Sequence, residues 1–272
     1  MALNTNDITV TSLETITAFD PSTGEFLWVL DELQDATISN EEETTDITGK
    51  QGRLLNTLKR NKTVTISGSN GLLSGGLMAT QTGGEFEAME ATEILWVDYL
   101  TVNSNAAATK FKAIGTVGAE IQDLYIKNSD NTIGARLTQA SSATSNKFAY
   151  NPSTKALTFS GLTDGTAIVV YYKRYIAGDV LTNMSDNYSK KAALYIDAFG
   201  EDRCAQVFRI QFYVPVADFS GTFEVTMGDE QAVHAFEARS LSSSCDTASA
   251  AKLWTYTIFG ENAADVTPQV AP

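Results

Sequence analysis

The residues best equipped for chemistry lie in the stretch GTFEVTMGDEQAVHAFEARSL (221–241). It holds the chain's only histidine, His234, with Asp229, Glu230 and Glu237 nearby. A histidine and a carboxylate serve acid–base catalysis when one orients the other at hydrogen-bond distance. Strand alternation separates these groups instead. Phe223, Val225 and Met227 share one face, and Thr222, Glu224 and Thr226 share the other. After GDEQ, Ala232, His234, Phe236 and Ala238 fall opposite Val233, Ala235, Glu237 and Arg239. Glu237 is thus directed away from His234, while Asp229 and Glu230 occupy the turn. The pattern predicts a hairpin with a packed histidine, with Glu224, Glu237 and Arg239 away from its packed face.

Other groupings carry no stronger chemistry. Glu85, Glu87, Glu90 and Glu93 resemble a glycosidase ladder, but acid–base work needs one carboxyl in an apolar pocket, and EFEAMEATE reads as a solvated face. Ser242, Ser243 and Ser244 lack a nucleophile-elbow context. The glycines of GLLSGGLMATQTGG (71–84) match neither phosphate-binding spacing. Asn70 or Ser69 is placed to cap a helix there, which Gly75 and Gly76 weaken. NSDN (128–131) lacks the downstream glutamate of a calcium loop and reads as a turn. Cys204 and Cys245 are far apart and, with one histidine in the chain, form no zinc pattern. The expectation is a protein with no catalytic, cofactor or metal site.

The 272 residues carry a net charge of −14, which disfavours nucleic-acid binding because phosphate contacts need clustered Lys and Arg. The N-terminus MALNTNDITV has no basic segment followed by an apolar run, and no apolar run is long enough to span a bilayer. Synthesis in a cytoplasm without membrane insertion is expected.

Polarity comes from Thr, Ser, Asn and Gly rather than from charge, which suits strands and turns. ITVTSLETIT (8–17) and EFLWVL (25–30) flank the turn DPSTGE. SNEEETTDITGKQGR (39–53) shows no strand periodicity and reads as a long surface loop. Its acids are Glu41, Glu42, Glu43 and Asp46. GRLLNTLKR (52–60) reads as a short helix with Leu54, Leu55 and Leu58 on one side, and KTVTISGSN (62–70) alternates as a strand. EILWVDYLTV, TKFKAIG and IQDLYIKN are β-rich, and residues 103–178 are assigned to an inserted small β subdomain, with 1–102 and 179–272 forming the core. In the last third, KKAALYIDAFG, CAQVFRIQFYVPVA, SGTFEVTM, AVHAFEAR and AKLWTYTIFGE read as strands. The predicted class is mainly β, a sandwich or barrel with one or two short helices.

Several stretches together resemble the tail tube (major tail) proteins of tailed bacteriophages: SGTFEVTMGDEQAVHAFEARSL followed by KLWTYTIFGE, ITGKQGRLLNTLKRNKTVTISGSNGLLSGGLMATQTG, and FKAIGTVGAEIQDLYI. The resemblance implies a structural virion protein of the phage tail. Its copies would form homo-hexameric rings stacked into a hollow tube. The implied partners are a tape-measure protein, tail terminator and baseplate or tip proteins, with DNA crossing the lumen unbound. The segment 39–50 would then be an inter-ring arm, with Glu41, Glu42, Glu43 and Asp46 at the contact and Lys59, Arg60 and Lys62 as partners for an acidic surface. Glu224, Glu237 and Arg239 would lie on exposed or intersubunit surfaces. The competing expectations are a capsid decoration or host-adhesion module, and a carbohydrate-active enzyme.

Overall fold

A computed structural model of the chain describes residues 7–225, 233–242 and 252–260. The fold is mainly β, as its composition predicts. Residues up to 86 and from 181 onward form one compact unit, and residues 87–180 form a second, which contains the segment 103–178.

The first unit is built from β1 (Thr9–Phe19), β2 (Phe26–Leu30), β3 (Leu33–Thr48), β4 (Leu54–Asn70), α1 (Gly75–Thr82) and, after the second unit, β12 (Lys191–Glu201), β13 (Val207–Phe219), β14 (His234–Ser240) and β15 (Thr255–Gly260). The sheet order is β2-β1-β12-β13-β14-β4-β3, with β15 added to β13. Trp28 and Leu30 from one end of the sheet meet Val64 and Ile66 from near the other end in a single apolar cluster. The sheet therefore curls around its core as a half-barrel. β13 serves two neighbours: residues 208–213 pair with β15 and 217–219 with β14. Pro215 lies between these ladders, beside a register shift against β12, where a residue without an N–H costs no ladder bond. At the β1–β2 turn, the Asp20 carboxylate accepts from Ser22 N and Thr23 N, closing the turn that DPSTGE foretells.

Three elements of this unit differ from expectation. First, residues 39–60 are neither loop nor helix: they belong to β3 and β4, joined through a 3-10 turn at Lys50–Gly52. Second, α1 is capped by Ser74, whose hydroxyl accepts from Leu77 N. Its glycines are packing devices rather than weaknesses, since a Cβ at Gly76 would lie 2.6 Å from Trp28 Cβ. Third, SGTFEVTM makes no regular strand over its described residues, where Val225 forms an isolated bridge to His234. The turn expected at Asp229 and Glu230, like Cys245, lies outside the described residues.

Gly83 ends α1 at φ +76°, and a Cβ there would lie 2.0 Å from the Tyr188 carbonyl oxygen. Gly83→Ala combines a left-handed backbone with a backbone clash, so a loss of about 2–4 kcal/mol is expected in chemical denaturation.

The second unit carries β5 (Phe86–Thr101), β6 (Ala106–Ala108), β7 (Ile121–Lys127), β8 (Ile133–Gln139), β9 (Lys147–Asn151), β10 (Ala156–Thr158) and β11 (Ala167–Leu181), ordered β5-β11-β7-β8-β9-β10-β6. Val102, Leu124, Phe148, Leu157, Val170 and Tyr172 are in its core. TKFKAIG (109–115), expected as a strand, is irregular. Side chains replace its ladder partners: Lys110 N donates to Asp98, Phe111 N to the Tyr172 hydroxyl and Ala113 N to the Tyr150 hydroxyl.

Candidate functional site: a projecting hairpin arm

The opening histidine is structural. His234 is 1% exposed, and its ring lies edge-on to Phe223. Nδ1 accepts from Ser74 N at 3.3 Å, so Nε2 carries the proton and donates to Gln81 Oε1 at 2.8 Å. Gln81 in turn donates to the carbonyls of Ala235 and Thr222. The chain ties β14 to α1, and no carboxylate takes part. Phe236 and Ala238 are buried on the same face, while Glu237 and Arg239 are exposed on the opposite one; Glu224 is also exposed. Burial without a charge partner lowers the His234 pKa from its ordinary 6.5. Because the folded state holds fewer protons, this contribution is complete above 6.5 and declines as pH falls below it. The His234→Gln variant is expected to show a weaker loss of melting temperature between pH 7 and pH 5 than the parent. Equal slopes would refute the assignment.

The remaining predicted residues converge on the β3–β4 hairpin. β4 pairs with β14 only over residues 65–70, whereas its pairing with β3 continues to Leu54. From Asn40 to Thr63 every residue is exposed except half-buried Gly49, Thr57 and Leu58. Eight residues of strand beyond Asn40 give an arm of roughly 27 Å. Two strands with both faces in water have little stability of their own, so the arm depends on cross-strand pairs and turn chemistry.

The acidic run and the basic cluster are the two strands of this one arm. Lys59 Nζ lies 2.6 Å from Glu42 Oε1, and the ammonium holds that carboxyl below its usual range by hydrogen bonding and charge. Asn61 Nδ2 donates to Glu43 Oε2 at 2.6 Å, and Thr57 Oγ1 to Asp46 Oδ1 at 3.0 Å. Arg60 faces Glu43 in the register, and Thr63 faces Glu41. Between those pairs Asn61 and Lys62 oppose Glu42 alone. Asn61 sits at φ +48°, the left-handed conformation an asparagine tolerates in a bulge. Such exposed pairs add little stability. Their effect is to fix the register and the bend of the arm.

The turn at the tip was not legible in the sequence. Gly49 N donates to the Arg53 carbonyl and Gly52 N to the Gly49 carbonyl, making an ordered five-residue turn with Gln51 at φ +64° and Gly52 at +74°. Leu55 folds over Gly49, where a Cβ would come within 2.7 Å of it. Leu54, Leu55 and Ile47 remain 60%, 65% and 40% exposed. The two glycines bracketing Lys50 and Gln51 were the available signal for a hairpin. Two of the exposed glutamates of EFEAMEATE find partners: Lys190 pairs with Glu85 at 2.9 Å and Lys173 with Glu93 at 3.1 Å.

The arm is self-paired, with open edges and an apolar tip. The YomU/Tube protein family model matches residues 9–253, from the start of β1 almost to β15. No curated protein matches the chain.

Proposed function

The chain belongs to the YomU/Tube protein family, and from that premise we propose that it is the structural subunit of a phage tail tube. Copies form rings, six subunits to a ring, and the rings stack into a hollow conduit for DNA ejection. The protein works without catalysis, cofactor or metal, as a component of the virion. A tape-measure protein occupies the lumen before DNA does, and terminator and baseplate or tip proteins close the two ends.

The observation that carries this reading is the arm. A roughly 27 Å hairpin with exposed edges gains little for a lone monomer and is an aggregation hazard unless it has a specific partner. In a stacked assembly each arm reaches the adjacent ring. The charge balance fits the same picture. The segment 40–63 holds five of the 19 Lys and Arg but four of the 33 Asp and Glu, so a near-neutral arm extends from an acidic body. An acidic wall repels DNA phosphates and lets the polymer slide without binding.

Electron microscopy of the purified protein tests the reading: stacked hollow rings are expected, and dispersed monomers or trimers at high concentration would overturn it. Reversing Glu41, Glu42 and Glu43 to Lys leaves eight bases against one acid in the arm. It also removes the partner of Lys59 and the acceptor of Asn61. This variant is expected not to polymerise, and tubes of normal length would exclude the arm as the stacking element.

A further inference from the structure

The first unit also contains a recess suited to the arm's tip. A groove of about 460 Å³ opens between β1, β12 and β13 on one side and the root of β3 on the other. Its walls are mainly apolar: Val10, Leu13, Ile38, Ile196, Phe212 and Trp254. Val10 is 58% exposed there, close to the 60% and 65% of the tip leucines. Asp35 also borders the groove, but its carboxylate accepts from Ser69 Oγ at 2.6 Å on the other face of β3. The tip offers the complementary set. Leu54, Leu55 and Ile47 project from it, and the turn between them carries Lys50 and Arg53 with no acid.

We propose that this groove is the receptor for the arm tip of a second copy of the chain, with the tip leucines buried against Val10, Phe212 and Trp254. The inference rests on the tube reading and names the surface the arm engages. A copy cannot fill its own groove. Ile38 and Asn40, which line it, stand at the arm's root, and the tip lies eight strand residues further out, roughly 27 Å away along a paired ladder. Reaching back would require breaking that ladder. Tip and groove are different surfaces of one molecule, so the contact is heterologous. Each copy that receives a tip presents its own to the next, and between stacked rings, where no rotation returns to the starting copy, the contact propagates along the stack. It gives the assembly a direction and a repeat set by the arm's length.

Burying one leucine side chain is worth about ten- to a hundredfold in association constant. Two variants separate the halves of the contact. Leu54→Asp with Leu55→Asp disables the tip, and Val10→Asp disables the groove; all three positions are exposed, so melting temperatures are expected to stay within a few degrees of the parent. Val10→Ser serves as a milder groove variant if the aspartate perturbs β1. By sedimentation and electron microscopy, each variant alone is expected to stop at single-layer species, with the stacked fraction reduced at least tenfold. Mixed in equal amounts, they are expected to form a species of twice that mass, because one intact tip meets one intact groove. Normal stacking by both groove variants, or no pairing in the mixture, overturns the groove as receptor while leaving the tube reading intact. A parent protein that never stacks overturns both.

Discussion

Joining Asn40 to Val64 through an Asn-Gly turn is expected to abolish stacking while leaving the half-barrel folded. The two residues face each other in the β3–β4 ladder, so a two-residue hairpin turn closes the gap in register. The excised residues, 41–63, contribute nothing to the core: the apolar cluster begins at Val64 and Ile66, both fully buried. Their removal deletes surface ladder bonds and exposed ion pairs, so a change in melting temperature of no more than a few degrees is expected. Association should respond very differently. If the arm is the stacking element, its loss removes the tip leucines, the cross-strand edges and the register-fixing charges together, and the stacked fraction should fall below detection. Light scattering and electron microscopy read this directly. Tubes formed by the shortened chain would show that the rings stack through other surfaces.

The second large effect is expected at Asp98, which is 7% exposed in the second unit. Its carboxylate accepts from Trp96 Nε1 at 3.0 Å, from Lys110 N at 2.8 Å and from the Tyr172 hydroxyl at 2.8 Å. Asp98→Ala leaves three donors short of an acceptor, one buried and two part-buried, each costing about 1–3 kcal/mol when unsatisfied, so a loss of about 3–5 kcal/mol is expected. Asp98→Asn keeps one acceptor oxygen but sets an amide donor against other donors, and should fall between parent and alanine. Urea denaturation followed through tryptophan fluorescence checks the order, and an alanine variant within 1 kcal/mol of the parent would remove Asp98 from this role. The network also fixes a sign for alkaline pH. Burial, reinforced by Asp98, raises the Tyr172 hydroxyl well above its ordinary 10.0. The folded state thus keeps a proton that the unfolded state loses, and this contribution to stability fades as pH rises beyond 10.

Much of the first unit was legible because most of its strands bury one face. Alternation in KKAALYIDAFG, CAQVFRIQFYVPVA and AVHAFEAR corresponds to β12, β13 and β14, and it placed His234 with Phe236 and Ala238 before any contact was known. The same rule explains the largest error. Residues 41–63 carry no apolar period because neither face of the arm is buried, so a strand pair in water reads as a polar loop followed by a helix with three leucines. TKFKAIG failed for the opposite reason. Its composition is that of a strand, but Asp98, Tyr150 and Tyr172 claim its N–H groups from positions remote in sequence.

What the sequence determined by itself is therefore local. It specified a β-rich acidic chain, the turns at DPSTGE and NSDN, the buried face of β14, and the separation of His234 from Glu237. These follow from side-chain period and backbone preference, which act between near neighbours. Only the tertiary structure decided that the acidic run and the basic cluster lie in one hairpin, that Gly76 admits Trp28, that His234 answers to Gln81, and that a groove lies at the root of the arm. Each of those depends on register and curvature between segments distant in the chain. A ladder that shifts by one residue at Asn61 reassigns every partner beyond it.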